Sequence, residues 1–328
     1  MKLLFILFVI SILIVDINCI NNKSISEKNY YFIKVNNNNN SNNNNNNNIS
    51  SNGFILTLVN PEVGAIQGKE EYVSNVEVPK KSKLNLSIIT DLNKQEQQTT
   101  ITQFESEIIV SGDFKDDGSN DFIISDIYHQ LELNENKNNN NVNAQTIKVK
   151  EFFYFMSPSP FICNSIVNCS NIIIDKLNSN EPFGFIEKFT EPYSNSIGLL
   201  DLNWLNSRLV TNDNNYNSIV KGYQYGKNNE LIISKIYINT LDPIDDCLSL
   251  YSSDKQSSKC RFGKIATFKR DLNRCPVFDK CVKKSPCHLG RPNCNKGYKL
   301  YSLPYGEKGC SKYFCDPDFL PMTTIKKF

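Results

Sequence analysis

Lys83-Leu-Asn-Leu-Ser-Ile-Ile-Thr90 is the clearest instance of the pattern that sets the expected fold. Leu84, Leu86 and Ile88 alternate with Asn85 and Ser87, and a period of two marks a half-buried strand. On this reading Asn85 points outward. Gln145 to Lys150 repeats the pattern, and so does Lys235 to Asn239, where Ile236 and Ile238 alternate with Lys235, Tyr237 and Asn239. Further strands are expected at Phe54 to Val59, Tyr72 to Val78, Glu107 to Val110, Phe122 to Tyr128, Phe152 to Phe155 and Asn171 to Leu177. Each is short and bounded by Gly, Pro, Asn or Asp. Residues 54–245 therefore predict a mainly β domain, an antiparallel sandwich or barrel. One helix is expected, capped by Asp201, with Leu202, Leu205 and Leu209 on one face and Trp204 packing beside them.

Outward from this region the composition changes on both sides. At the start, Lys2 precedes the run Leu3 to Val15, apolar except for Ser11 and ended by Asp16. A helix that crosses a bilayer needs about 20 apolar residues. The run is shorter, and residues 1–19 read as a signal peptide cleaved after Cys19. No later stretch is long and apolar enough to span a membrane, so a secreted, extracellular protein is expected. Residues 20–53 form an Asn-rich segment, entirely Asn over 36–48 apart from Ser41, and a second Asn cluster at 134–143 reads as an expanded loop. Such tracts bury nothing apolar and cannot offset chain entropy. Asn22, Asn39, Asn48, Asn85 and Asn168 begin N-x-S/T sequons and are candidate glycan sites in an exported chain.

At the other end, residues 246–328 hold 17 Lys and Arg against 7 Asp and Glu, a net of +10 in a chain whose total is +2. This basic segment also holds most of the cysteines. Without Cys19, ten remain: Cys163, Cys169, Cys247, Cys260, Cys275, Cys281, Cys287, Cys294, Cys310 and Cys315. An even number fits disulfides in an oxidising compartment. No C-x-x-C pair is present, which argues against structural zinc. Cys163 with Cys169, and Cys247 with Cys260, are expected as two short bridges, with three more among the remaining six. A small domain with few aliphatic residues needs such staples.

Two features bear on binding. Asp113-Phe-Lys-Asp-Asp-Gly-Ser-Asn-Asp121 resembles a calcium loop of the kind found in FG-GAP propeller repeats, with Asp113, Asp117 and Asp121 as oxygen ligands. Lys115 stands at the third ligand position, and the plain alternative is a polar hairpin turn. No other cofactor is expected. Lys280, Lys283, Lys284 and Arg291 form a basic run that suits an anionic glycan or a cell-surface receptor. Nucleic acid does not suit an exported chain. Tyr298, Tyr301, Tyr305 and Tyr313 can stack on sugar rings or replace a missing core. His129, three residues after Asp126, would lie on the opposite face of a strand, and no G-x-S-x-G elbow is present, so no catalytic residues are assigned. His288 reads as a surface residue.

Cys294-Asn-Lys-Gly-Tyr298 followed by Gly309-Cys310 and Cys315 resembles the C-x-x-G-Y…G-C half-modules of extracellular cysteine-rich repeats. With the Asn tracts and the leader, the whole resembles secreted cysteine-rich glycoproteins of social amoebae. That resemblance implies a cell-density or developmental factor and transfers no functional residue. The expected function is a secreted, N-glycosylated, non-catalytic binding or signalling protein. The alternatives are a matrix or coat component and a secreted hydrolase.

Overall fold

The computed structural model describes residues 28–36, 53–61, 70–80, 82–89, 107–133, 149–160, 170–212, 218–226, 229–241, 260–288 and 290–321. Within them the chain is mainly β, as its alternation predicts. Six strands come first: β1 Asn29–Asn36, β2 Gly53–Leu58, β3 Glu70–Val73, β4 Asn75–Glu77, β5 Ile108–Phe114 and β6 Asp121–Gln130. Six more follow: β7 Phe152–Pro158, β8 Ile172–Lys176, β9 Gly184–Ile186, β10 Lys188–Thr190, β11 Ser218–Tyr225 and β12 Glu230–Asn239. All twelve belong to one sheet in the order β3-β2-β1-β5-β6-β12-β11-β7-β8-β9, with β4 added parallel to β6 and β10 parallel to β12.

That order is a palindrome. β1 to β6 and β7 to β12 are two copies of one unit, related by a two-fold axis through the β6–β12 pairing. There His129 faces Ile238, while Tyr237 faces Gln130 and Asn239 faces Tyr128. The sequence carries the trace. Ile109-Val110-x-Gly112 corresponds to Ile219-Val220-x-Gly222, and Ile123-Ile124-Ser125-x-Ile127-Tyr128 to Ile232-Ile233-Ser234-x-Ile236-Tyr237. Both copies bulge at the same place, between Ser111 and Gly112 and between Lys221 and Gly222. A Cβ at Gly112 would lie 2.0 Å from the Ile123 carbonyl oxygen, and one at Gly222 would lie 2.2 Å from that of Ile232. Only glycine allows that approach.

Each copy closes on itself. β3 runs through a single residue, Ser74, into β4, which crosses to pair with β6, and Glu187 plays that part between β9 and β10. Ser74 N donates to Asn120 O at 2.8 Å and Glu187 N to Asn229 O at 3.1 Å. With β5 antiparallel to β1, the result is a five-stranded Greek-key barrel with helical structure between its third and fourth strands, the OB-type topology. The first barrel packs Tyr31, Ile33, Leu56, Val73, Val76, Ile108, Val110, Phe122, Ile124 and Ile127 inside. The second packs Tyr154, Met156, Ile174, Ile186, Val220, Leu231, Ile233 and Ile236.

The outer faces of β1, β5 and β6 meet those of β7, β11 and β12. Equivalent residues line this seam from its two sides: Tyr30 and Phe153, Phe32 and Phe155, Val59 and Leu177, Ile109 and Ile219, Tyr128 and Tyr237. Tyr30 meets Phe155 edge-on at 5.3 Å, and Phe32 meets Phe153 in the same way at 5.4 Å. Two asparagines clasp the seam. Asn60 donates through Nδ2 to Phe153 O (2.8 Å) and Leu177 O (3.2 Å) and accepts from Phe153 N (3.0 Å). Asn178 donates to Tyr30 O (2.8 Å) and Val59 O (2.6 Å) and accepts from Tyr30 N (2.9 Å). Both have left-handed φ, 48° and 50°, a conformation that Asn tolerates better than most residues.

Among the described residues, helices of four residues or more are α1 Tyr193–Ser196 and α2 Leu202–Leu209. Asp201 caps α2, accepting from Trp204 N, as expected. The buried stripe differs from the expected one. Leu202 is 42% exposed, while Trp204, Leu205, Arg208 and Leu209 are buried. Arg208 turns inward because Leu272 O and Asn273 Oδ1 accept from its Nη2.

Past the barrels come two hairpins, β13 Lys264–Arg270 with β14 Pro276–Lys283, and β15 Tyr298–Tyr305 with β16 Cys310–Pro317. Disulfides join Cys260 to Cys281, Cys287 to Cys310 and Cys294 to Cys315. The expected Cys247–Cys260 clip is therefore corrected, because Cys260 lies against β14. Cys275 is bonded to a cysteine outside the described residues. Cys163, Cys169 and Cys247 also lie outside them.

Three other expectations change. Asn29–Asn36, inside the segment read as Asn-rich and unfolded, is a core strand, since Tyr30, Tyr31, Phe32 and Ile33 are all buried. Residues 20–27, 37–52 and 134–148 lie outside the described residues, and Val149 and Lys150 form no strand. Lys83 to Thr90 is not a strand. Residues 87–89 make a helical turn, because Ser82 Oγ accepts from Leu84 N and Asn85 Oδ1 from Ser87 N, and local bonds of this kind compete with pairing. The change of composition at 245/246 does not separate the cores. Tyr298, Cys315 and Leu320 pack with Leu131, which follows β6, and with Tyr193, Ile197 and Leu200 of the second barrel, and Cys315 N donates to Leu199 O.

Asn60→Gly and Asn178→Gly keep the backbone conformation and remove the clasp bonds. Each is expected to lower stability by about 1–3 kcal/mol, equally for the two sites, in chemical denaturation. Gly112→Ala and Gly222→Ala are expected to cost about as much or more through steric clash. Denaturation midpoints that match the parent protein would refute both assignments.

Candidate binding surface

The paired barrels carry one outward row twice. Across β1, β2 and β3, Lys34 registers with Ile55 and Ile55 with Tyr72. Across β7, β8 and β9, Ser157 registers with Ile173 and Ile173 with Phe185. Tyr72 is 55% exposed and Phe185 is 40% exposed. Inward neighbours such as Leu56 and Ile174 are explained by packing. An aromatic ring held in water beside an isoleucine at the same place in both barrels is not. Tyr72 is also oriented, since its hydroxyl donates to Glu70 Oε2 at 3.2 Å and its carbonyl accepts from Asn120 Nδ2. A flat apolar face with polar neighbours suits the stacking of a sugar ring or another planar group. Sequence reading missed this row because the repeat was not seen. The signal lay in the shared Ile-Val-x-Gly and Ile-Ile-Ser-x-Ile-Tyr strings.

The proposed calcium loop is the β5–β6 hairpin turn of the first barrel. Lys115 Nζ donates to Asp121 Oδ2 (3.1 Å) and Glu77 Oε1 (2.9 Å), while Asp117 Oδ1 accepts from Ser119 N (2.9 Å). Hydrogen bonds from the Ser119 side chain and then from its backbone N–H hold the Asp117 carboxyl below its usual range. Asp113 is exposed, and no group of three metal-ligating side chains gathers among the described residues. The calcium reading is corrected to a turn whose cation is its own lysine.

The four basic residues do not form one patch. Lys280 is paired with Glu307. Lys283, three residues further along β14, faces the other side and sits opposite Lys264 across the hairpin. Lys284 follows it, and Ser285 N donates to Lys308 O at 3.3 Å. Lys264, Lys283, Lys284 and Lys308 are exposed and make no ion pair with a described residue. Arg291 is exposed beyond the Cys287–Cys310 bridge. Part of the basic excess is internal. Arg270 Nη1 donates to Asp316 Oδ1 at 2.9 Å and its second Nη to Oδ2, with Asp201 at 3.5 Å, and Arg274 packs over Trp204. Among the four tyrosines, Tyr298 and Tyr301 are buried and Tyr305 is 40% exposed.

Asp126 and His129 act in packing. Asp126 Oδ2 accepts from Ser111 Oγ (2.7 Å) and pairs with Lys28 (3.2 Å). His129 stacks on Phe319 with centroids 4.2 Å apart, and its Nδ1 is 2.9 Å from Gln130 O. Burial holds the imidazole below its usual value, only partly opposed by Gln130 O and by Glu107, Asp318 and Glu132. His288 is exposed. In the barrel interiors, desolvation raises Tyr31, and it pushes the equivalent Tyr154 up to about 12.

Because His129 titrates lower in the folded than in the unfolded chain, its contribution is complete above about pH 6.5 and is lost as pH falls below that toward the folded value. His129→Phe is expected to flatten the fall in thermal stability between pH 7 and pH 5. Identical pH profiles for the two proteins would refute this.

No protein-family model matches the chain, and no solved structure matches it. The chain is similar to an uncharacterized protein of Dictyostelium discoideum, 32% identical over 206 residues. The match covers 62% of this chain and spans 64% of that protein. It places a relative in a social amoeba, the group suggested by the cysteine-rich resemblance.

Proposed function

We propose that the protein is a secreted, N-glycosylated, non-catalytic binding protein that recognises a glycan of the cell surface or matrix through the outward rows of its two barrels. The observation that carries this reading is the repeated pair, Ile55 with Tyr72 and Ile173 with Phe185. OB-type barrels bind extended ligands across the face of their second and third strands, where these residues stand. Two equivalent faces on one rigid body favour a polymer that engages both, since the second contact is then intramolecular. The exposed lysines Lys264, Lys283, Lys284 and Lys308 favour an anionic chain. Disulfides and the buried Arg270–Asp316 pair hold that basic edge in place, which lowers the ordering cost of binding. The bridges and the resemblance to secreted amoebal glycoproteins support the export route.

A glycan array probed with the oxidised, secreted protein tests the reading. Tyr72→Ala and Phe185→Ala are each expected to weaken binding to a positive glycan about tenfold, about 1.4 kcal/mol, and the double variant to abolish it. A ligand bound equally well by the parent and the double variant would overturn the assignment.

A further inference from the structure

We propose that Asn85 carries an N-linked glycan whose first sugar seats in the cleft between the first barrel and the chain beyond β16, fastening one to the other. This rests on the export route above. The sequon Asn85-Leu86-Ser87 lies in the turn that was expected to be a strand. Leu84 and Ile89, both buried, pin the turn to the core of the first barrel. Asn85 is exposed, and its Oδ1 accepts from Ser87 N at 3.0 Å, so the amide is oriented with its oxygen engaged. Nδ2, the atom that takes the sugar, makes no hydrogen bond with a described residue.

Asn85 itself lines a cleft of about 320 Å³ with Ile88, Thr240, Lys299, Asp318 and Phe319. The walls come from four parts of the fold: the turn, the residue after β12, the start of β15, and the segment after β16. Phe319 and Ile88 offer an apolar wall, and Lys299, whose Nζ donates to Asp318 O at 2.8 Å, offers a polar one. Thr240 lines the cleft, and its buried Oγ1 has no hydrogen-bond partner among the described residues. A buried hydroxyl calls for one, and the hydroxyls and acetamide of an N-acetylhexosamine supply it. The chemistry is a group transfer from a polyprenyl-diphosphate oligosaccharide of the secretory pathway. The Asn85 Nδ2–C1 bond forms, the C1–O bond to the diphosphate breaks, the amide proton leaves to a base, and the polyprenyl diphosphate departs.

The test uses the full secreted protein, treated with glycoamidase before and after denaturation, with each sequon then scored by mass spectrometry for conversion of Asn to Asp. Asn85 is expected to be occupied, to resist the enzyme in the native protein by at least tenfold relative to the other occupied sequons, and to release its glycan on unfolding. Asn85→Gln and Ser87→Ala, which remove the glycan by different routes, are both expected to speed chymotryptic cleavage at Phe319 several-fold. An empty Asn85 beside occupied sequons overturns this inference and leaves export standing. Release from the native protein as fast as from the other sequons overturns the seat. A chain bearing no glycan and retained in the cytosol overturns the export reading itself.

Discussion

Asn60 and Asn178 hold opposite ends of the same seam, each bonding the backbone of the strand that begins the other barrel. The constraint behind this exchange is that β1 and β7 emerge from their barrels with outward faces made of Tyr30, Phe32, Phe153 and Phe155. Exposed, four aromatic rings would cost several kcal/mol of hydrophobic free energy. Buried against each other, they leave the chain at Val59 and Leu177 needing partners for its backbone groups. A side chain with one donor group and one acceptor at a left-handed corner meets that need, and the two-fold axis makes it do so twice. The barrels are thus built to be a pair, and the twelve-stranded sheet is the consequence.

The pair in turn supports the cysteine-rich end. Leu131, which follows β6 at the axis, joins Tyr193, Leu200 and Trp204 in a cluster that also takes Tyr298, Cys315 and Leu320. Arg270 lies between the rings of Tyr301 and Phe314 and bonds both oxygens of Asp316. A nearly buried cation can persist only with such company. The bridges then hold hairpins whose own apolar cluster, Phe268, Tyr301, Leu303 and Phe314, is small. The two outward rows owe their fixed relation to the seam beneath them, because Tyr72 and Phe185 are carried on strands that cannot shift without breaking it.

Much of this was legible in the chain. Short apolar runs bounded by turn residues located β2, β6, β7 and β8, alternation located the end of β12, and the Asp201 cap was read from a local rule. The duplication was hidden by divergence at tolerant positions. Leu56 against Ile174 and Val73 against Ile186 are interchangeable in a core but unlike as letters, and segments of different length separate the matching strands. Lys83 to Thr90 was misread because periodicity does not register that Ser82 and Asn85 bond their own backbone. Among the candidate site residues, the acidic loop resembled a metal site only until Lys115 was seen to occupy it. Lys280 and Lys283 looked adjacent in the chain and stand on opposite faces of a strand.

Native-state hydrogen exchange at the amides of Tyr30 and Phe153 tests the seam most directly, since each donates to the asparagine of the other barrel. The account predicts that both exchange together, at the slow rate set by global unfolding. Fast exchange at either amide, or protection that differs between the two by orders of magnitude, would contradict it.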